Sequence, residues 1–183
     1  MIKEILSKGC VHMEKSKDKN DCIKALIIRE YKPGDLGYID YMHCKLYEKE
    51  YGFDVSEFEP YVLPAMGKFL ETNDRSGSMV WVAEEKGVIV GSIAIIQNSE
   101  RDAQLRWFIV DPSARGTGLG NALIRTALDF CREKKYDSVF LWTVKTLDAA
   151  RHLYGKYGFE ITEYVSRFLW GIDLIEERWE LSL

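Results

Sequence analysis

No two of the four cysteines form a Cys-x-x-Cys pair, and no histidine stands at metal-ligand spacing from Cys10, Cys22, Cys44 or Cys131. The common zinc modules are thereby excluded, no metal is expected, and the thiols read as idle side chains in a reducing, cytoplasmic setting. Histidine is itself scarce, with His12, His43 and His152 scattered along the chain. No apolar run approaches the ~20 residues of a membrane span, and no segment resembles a signal peptide, so no membrane partner is expected. Basic residues are in no excess. Lys and Arg number 25 against 29 Asp and Glu, a formal net charge of −4. That balance argues against the basic face of a nucleic-acid binder. Internal repeats, low-complexity blocks and linkers are also missing, which leaves a single folded domain as the reading.

What is present is an ordinary globular composition over 183 residues, 46% hydrophobic and 30% charged, with a generous aromatic share of five Trp, ten Tyr and eight Phe. Residues 1–22 are rich in Lys, Asp, Glu and Ser and read as an N-terminal arm. Residues 23–183 read as the domain. Within it a first strand covers 23–30, and a helix follows from Leu36 to Tyr51, with Asp35 as its N-cap and Gly52 as its stop. A second helix spans 56–71, opened by a capping box of Ser56 and Glu59. Strands are expected over 79–84, 88–97 and 103–110, with a hairpin turn at Lys86-Gly87. A helix over 121–135, a strand over 138–144, a helix over 148–157 stopped by Gly158, and strands over 160–169 and 177–181 complete the order β-α-α-β-β-β-α-β-α-β-β.

One stretch stands out: Arg115-Gly116-Thr117-Gly118-Leu119-Gly120, between the apolar run 105–110 and an amphipathic helix. A strand that ends in a glycine turn and feeds a helix aims several backbone N–H groups and the positive helix end at one spot, which suits phosphate oxygens. A Walker loop would need Gly-Lys-Ser/Thr, and Asn121 follows Gly120 here. A dinucleotide fingerprint would need Gly-x-Gly-x-x-Gly, and the third glycine arrives one residue early. The pattern Arg/Gln-x-x-Gly-x-Gly/Ala is matched in full by Arg115, Gly118 and Gly120.

Taken from Val110 to Gly120, this stretch resembles the acetyl-CoA pyrophosphate loop of the GNAT acyltransferases. A second block, Ala150-Arg151-His152-Leu153-Tyr154-Gly155-Lys156-Tyr157-Gly158-Phe159, resembles the helix end that follows in that family at this distance. The likeness covers about residues 23–183. Tyr31 to Gly37, Leu46 to Gly52 and Leu141 to Thr143 further resemble the acetyltransferase half of proteins carrying a MarR-type DNA-binding domain in front, for which this chain is too short. The resemblance implies an α/β (α+β) GNAT fold: a mixed, mostly antiparallel central sheet flanked by helices, with two strands splayed at the cofactor site. It implies acetyl-CoA as cofactor, with Arg115, Gly116, Thr117, Gly118, Leu119 and Gly120 on the diphosphate. The pantetheine arm would lie along Phe108, Ile109 and Val110, with strand 138–144 as the other wall. Thr146, Leu147 and Ala150 would add contacts, although Leu147 stands where many members carry a cofactor-binding Asn.

In the same reading Tyr154 is the acid or thiolate-binding group. Many members carry a Glu on the strand before the loop, but Gln104-Leu105-Arg106-Trp107 offers no carboxylate. The base is therefore sought among Glu48, Glu50 and Glu59 on the first two helices, and Glu50, at a helix end, is the choice. Tyr47, Tyr51, Trp81, Trp107 and Trp142 are open to two readings, pocket wall or core. The implied function is direct acetyl transfer from acetyl-CoA to a primary amine on a small molecule or a protein. The alternatives are a CoA-binding sensor domain with little catalysis and, third, a nucleotide-phosphate protein. GNAT domains often dimerise, which leaves a homodimer open.

Overall fold

The computed structural model describes residues 26–72 and 75–183 together with the backbone of Val11–His12. Its elements are β1 (Val11–His12), β2 (Leu26–Glu30), α1 (Asp35–Tyr51), α2 (Val55–Thr72), β3 (Met79–Glu85), β4 (Val88–Gln97), β5 (Asp102–Val110), a 3₁₀ turn (Pro112–Ala114), α3 (Leu119–Glu133), β6 (Ser138–Val144), α4 (Asp148–Lys156), β7 (Glu160–Leu169) and β8 (Ile172–Ser182). One sheet holds the strands in the order β1-β2-β3-β4-β5-β6-β8-β7. All pairings are antiparallel except β5 with β6. The expected order is present, with β1 added: Val11 pairs with Ile28 and His12 with Ile27. The rest of the arm read over 1–22, the strand start at 23–25, and Asn73–Asp74 lie outside the described residues.

Helices cover both faces of the sheet, so its central strands are apolar on both sides. On β3, Met79, Trp81 and Ala83 face a core built with Leu119, Leu123, Ile124 and Leu128 of α3, while Val80 and Val82 face Ile39 of α1 and Phe58, Val62 and Met66 of α2. The α3 stripe at 119, 122–124, 127, 128 and 131 has the spacing of a half-buried helix. α2 carries Pro60 and Pro64 inside it. Both are exposed, so the carbonyls they leave without an N–H face water.

Two helix starts differ from the sequence reading. α1 begins at Asp35 with Gly34 as its N-cap and no side-chain cap. The Asp35 carboxylate instead accepts from the Lys32 N–H at 2.7 Å and pairs with Arg29 at 2.6 Å. The Ser56–Glu59 capping box does not form. Asp54 caps α2, accepting from the Ser56 N–H at 2.9 Å and the Ser56 hydroxyl at 2.6 Å. An ionised carboxylate two residues earlier is the stronger acceptor for the orphan N–H groups at this helix start.

β7 and β8 form a long hairpin, and β8 begins at Ile172, five residues before its expected start. Its tip, Trp170-Gly171, has positive φ at both residues (52° and 77°), the two-residue turn that matches strand twist. The tip is fastened to the start of α2. The Asp54 N–H donates to the Trp170 carbonyl at 2.8 Å, and the Trp170 ring lies 4.9 Å from Phe53 and 5.1 Å from Phe58.

Candidate active site

The site begins where the sheet comes apart. β5 and β6 pair only from Asp102–Ser138 to Gln104–Phe140. Beyond that point β6 continues against β8, and β5 against β4. The backbone of β5 from Leu105 onward therefore faces a gap with no strand beside it, a place where an extended ligand can add as a strand.

A β-bulge sits at the mouth of this gap. The β4–β5 register slips between Ser92 and Ala94, and Trp107, with φ of 47°, is the extra residue. The Ser92 hydroxyl donates to the Trp107 carbonyl at 2.6 Å and holds the distortion. One inserted residue reverses side-chain alternation. Ala103 and Leu105 face the α3 core, Trp107 and Ile109 face α1 and α2, and Phe108 and Val110 return to the α3 side.

At the end of β5 the glycine turn leads into α3. Gly118 is the N-cap with φ of 89°, and Gly116 has φ of 72° with open space where a Cβ would stand. Both conformations favour glycine. The N–H groups of Gly116, Thr117 and Gly118 find no acceptor among the described residues. Gly120 fits for another reason: a Cβ there would stand 3.1 Å from Leu153, so the helix and α4 approach closely. Unpaired N–H donors, room above Gly116 and the helix N-terminus together fit a diphosphate. Arg115 leans across the loop, donating to the Val110 carbonyl at 3.1 Å and pairing with Glu50 at 2.9 Å.

Below the gap lies a cleft of about 140 Å³ lined by α1, α2, β5, β6, α4, the hairpin tip and β8. Tyr154 of α4 stands in its wall, 5% exposed, with Phe108, Phe159 and Trp179 around its ring. Burial raises its phenol pKa, so it stays protonated, and its hydroxyl has no hydrogen-bond partner among the described residues. α4 is anchored by Arg151, whose Nε donates to the buried Glu177 at 2.8 Å. His43 of α1 also lines the cleft. Its Nδ1–H donates to the Ile39 carbonyl at 2.8 Å, and burial lowers its pKa to about 4, so it is neutral with its Nε2 lone pair free. Glu176 of β8 is the carboxylate in the lining. Burial raises its pKa, and Arg167 at 2.8 Å offsets part of that.

Residues 41–159 match the profile described as the acetyltransferase (GNAT) family. The chain belongs to the GNAT family. It is 34% identical over 108 residues to N-acetylaspartate synthetase of Xenopus tropicalis, covering 58% of this chain and 36% of that protein. This chain spans less than half the length of that relative and of rat N-acetyltransferase 8, of which it covers 47%. Among solved structures, Ard1 from Thermoplasma volcanium aligns with a TM-score of 0.67 at 26% identity, over 85% of this chain and 96% of that one. The acetyl-CoA complex of yncA from Salmonella typhimurium aligns with a TM-score of 0.67 at 18% identity, over 86% and 93%. The last shares the fold.

Within this GNAT frame the expected residues divide. Phe108, Leu147, Ala150 and Tyr154 line the cleft. Ile109 packs towards α1 and Val110 towards α3, leaving their backbone along the gap. Arg115 to Gly118 form the turn, and Leu119 and Gly120 open α3, two residues before the helix start read from the sequence. Thr146 is exposed and outside the cleft lining, because the chain turns outward between β6 and α4. Glu50 is likewise outside the lining and turned towards Arg115. Of the aromatic set, Tyr47, Trp107 and Trp142 line the cleft, while Trp81 packs on Phe130 and Tyr51 on Phe53. Away from the cleft, Asp40, Cys44 and Glu59 set one ligand atom each within 4.8 Å of one another. No helix among the described residues is long and apolar enough to cross a membrane. Sequence reading missed His43, Arg106, Trp170 and Glu176 as cleft residues. No local signal marks them; long-range pairing and the bulge bring them together.

Proposed function

We propose that this protein is an acetyl-CoA-dependent N-acetyltransferase that passes the acetyl group directly to a primary amine. The observation that carries this reading is Tyr154 standing unpaired in a cleft that opens between the splayed β5 and β6 beneath the glycine turn. Acetyl-CoA bound there supplies the acetyl group as a thioester. The N–H groups of Gly116 to Gly118 hold its diphosphate, and the free edge of β5 after Gln104 pairs with the pantetheine arm.

Glu176 takes the proton from the attacking amine. A lysine-like amine with pKa ~10.4 is mostly protonated at pH 7, an obstacle of about 4–5 kcal/mol that a nearby base relieves in part. Raising the pKa of a carboxylate makes it the better base, and burial does this to Glu176. Glu50, the base expected from sequence, lies outside the cleft lining and turns towards Arg115, whereas Glu176 lines the cleft, so the role passes to Glu176. The new C–N bond forms as the C–S bond breaks. Tyr154 donates its hydroxyl hydrogen bond to the leaving sulfur, and the thiolate, pKa ~8.5 by analogy with cysteine, needs only that modest help. The names of the relatives, N-acetylaspartate synthetase and N-acetyltransferase 8, support amine acetylation.

The test is steady-state CoA release with a panel of primary amines, beside calorimetry with acetyl-CoA, NAD and ATP. Turnover with at least one amine and preference for acetyl-CoA are expected. Tight acetyl-CoA binding without turnover on any amine would favour a CoA-binding sensor domain.

A further inference from the structure

The cleft holds a cation that the acyl-transfer chemistry does not use. Arg106 of β5 lines it beside Tyr61, with its guanidinium 5.8 Å from the centre of the Trp107 ring. Among the described residues Arg106 has no carboxylate partner. Arg29, Arg75, Arg101, Arg115, Arg132, Arg151, Arg167 and Arg178 each hold one. Arg125 also has no carboxylate partner among the described residues, but it is exposed on α3, where water suffices. Arg106 is only partly exposed, and burial lowers its pKa, a sign that its charge is poorly solvated. A guanidinium does not lose its proton in a protein, so the charge stays and lacks an anion.

A second donor beside it is also unsatisfied. Trp107 Nε1 is one of three buried side-chain polar atoms with no partner among the described residues. The bulge explains why the two occur together. Regular alternation would send Arg106 and Trp107 to opposite faces; the slip at Trp107 leaves both on the side of α1 and α2. Two adjacent donors without acceptors describe a site for an acceptor-rich, anionic group. The cleft's carboxylate, Glu176, is already paired with Arg167 and lies on another strand.

We propose that the amine accepted in this cleft also carries a carboxylate, which Arg106 binds: the acceptor class is amino acids and related amino-carboxylic acids. The proposal rests on the acyl-transfer reading and narrows its substrate. Arg106 takes the carboxylate with its planar fork, Trp107 Nε1–H donates a further bond, and Glu176 faces the amine. A zwitterionic acceptor is thus held by a cation at one end and a base at the other.

The experiment compares matched pairs, each α-amino acid against its carboxamide, by CoA release in the wild type, Arg106→Gln and Arg106→Lys. The readout is the acid-to-amide ratio of kcat/KM and its change on mutation, because the amide's amine is less basic and the raw ratio mixes two effects. We expect Arg106→Gln to lower the ratio on the order of a hundredfold, the scale of a lost bidentate charge pair. Arg106→Lys, which keeps charge but loses the fork, should fall between. Unchanged acetyl-CoA affinity and thermal transition verify that the variants fold. A ratio that Arg106→Gln leaves unmoved overturns the proposal while leaving acetyl transfer intact. If no amine is acetylated, transfer itself fails, and equilibrium binding of N-acetyl amino acids against N-acetyl amides to the CoA-loaded protein decides the ligand class. A preference for the acid that Arg106→Gln removes sustains it; no preference overturns it.

Discussion

The two halves of the site are built in opposite ways. The proposed cofactor half is a strand end, one turn and a helix start, continuous from Phe108 to Gly120, and the donors it offers are backbone N–H groups. The acceptor half draws His43 from α1, Tyr61 from α2, Arg106 from β5, Thr143 from β6, Trp170 from the hairpin tip and Glu176 from β8. A local backbone device fails when one residue stops the backbone from being approached. A convergent side-chain device loses one interaction at a time. The halves should therefore answer substitution differently: binding lost outright in the first, rate or selectivity lost in steps in the second.

The largest effect is expected at Gly118. Gly118→Asp places bulk and a negative charge beside the diphosphate, and acetyl-CoA binding should fall beyond detection by calorimetry. The fold should survive, because Asp is a favoured residue at a helix N-cap and tolerates a left-handed φ better than most. Gly118→Asn, of nearly equal size and uncharged, separates bulk from repulsion and should bind weakly yet measurably. If Gly118→Asp binds normally, the diphosphate lies elsewhere and the contrast between the halves collapses.

In the acceptor half the largest step is expected at Glu176. Glu176→Gln should lower kcat/KM about 10²-fold at neutral pH, at the low end for general-base catalysis, with acetyl-CoA affinity retained. The pH profile carries the sign. The base must be ionised, and burial holds its pKa above the usual 4.5, so wild-type activity should drop as pH falls through that raised value. The variant should lose this acid limb. Its deficit should shrink at high pH, where the ammonium loses its proton unaided and the neutral amine is plentiful. A uniform drop with the limb intact would move the base to the neutral His43.

Tyr154→Phe should cost less, on the order of tenfold in kcat, because a thiolate with pKa ~8.5 is a fair leaving group on its own. Phe preserves the packing against Phe108, Phe159 and Trp179, so acetyl-CoA affinity and thermal stability should hold. An unaltered kcat would leave Tyr154 as packing only.

What the sequence disclosed follows the same division. The loop was legible because its determinants are adjacent: the glycines mark left-handed backbone, the stripe from Leu119 marks the helix, and Arg115 stands at fixed spacing. The element order was legible from period and turn residues. The acceptor cleft was not. Arg106 was read only as a residue that is not a carboxylate, since nothing in Gln104-Leu105-Arg106-Trp107 announces a bulge. The slip exists because Ser92, fifteen residues earlier, accepts it by bonding the Trp107 carbonyl at 2.6 Å. Glu176 fell just outside the strand read over 177–181, and its facing followed only from β8 starting at Ile172 and from its register with Val144. The Asp54 cap was overlooked because Ser56 and Glu59 offer an equally good box on paper, and only the chain's path from α1 decides between them.

The smallest effect separates the halves most finely, because Glu50 was assigned by sequence to one and stands by geometry at the other. Its carboxylate pairs with Arg115 at 2.9 Å, where Arg115 is 45% and Glu50 22% exposed. A pair this exposed is worth ~0.2–1 kcal/mol. A diphosphate arriving at the glycine turn competes with Glu50 for the same guanidinium and meets its negative charge. Glu50→Gln removes the competitor, so acetyl-CoA should bind up to about fivefold more tightly, the equivalent of ~1 kcal/mol. The gain should fade as salt screens the exposed charges. kcat and its pH profile should stay as they are. Weaker acetyl-CoA binding would mean that Glu50 holds Arg115 in its binding pose. A loss of kcat/KM concentrated at low pH, with affinity unchanged, would return the proton to Glu50 and dissolve the boundary between the halves.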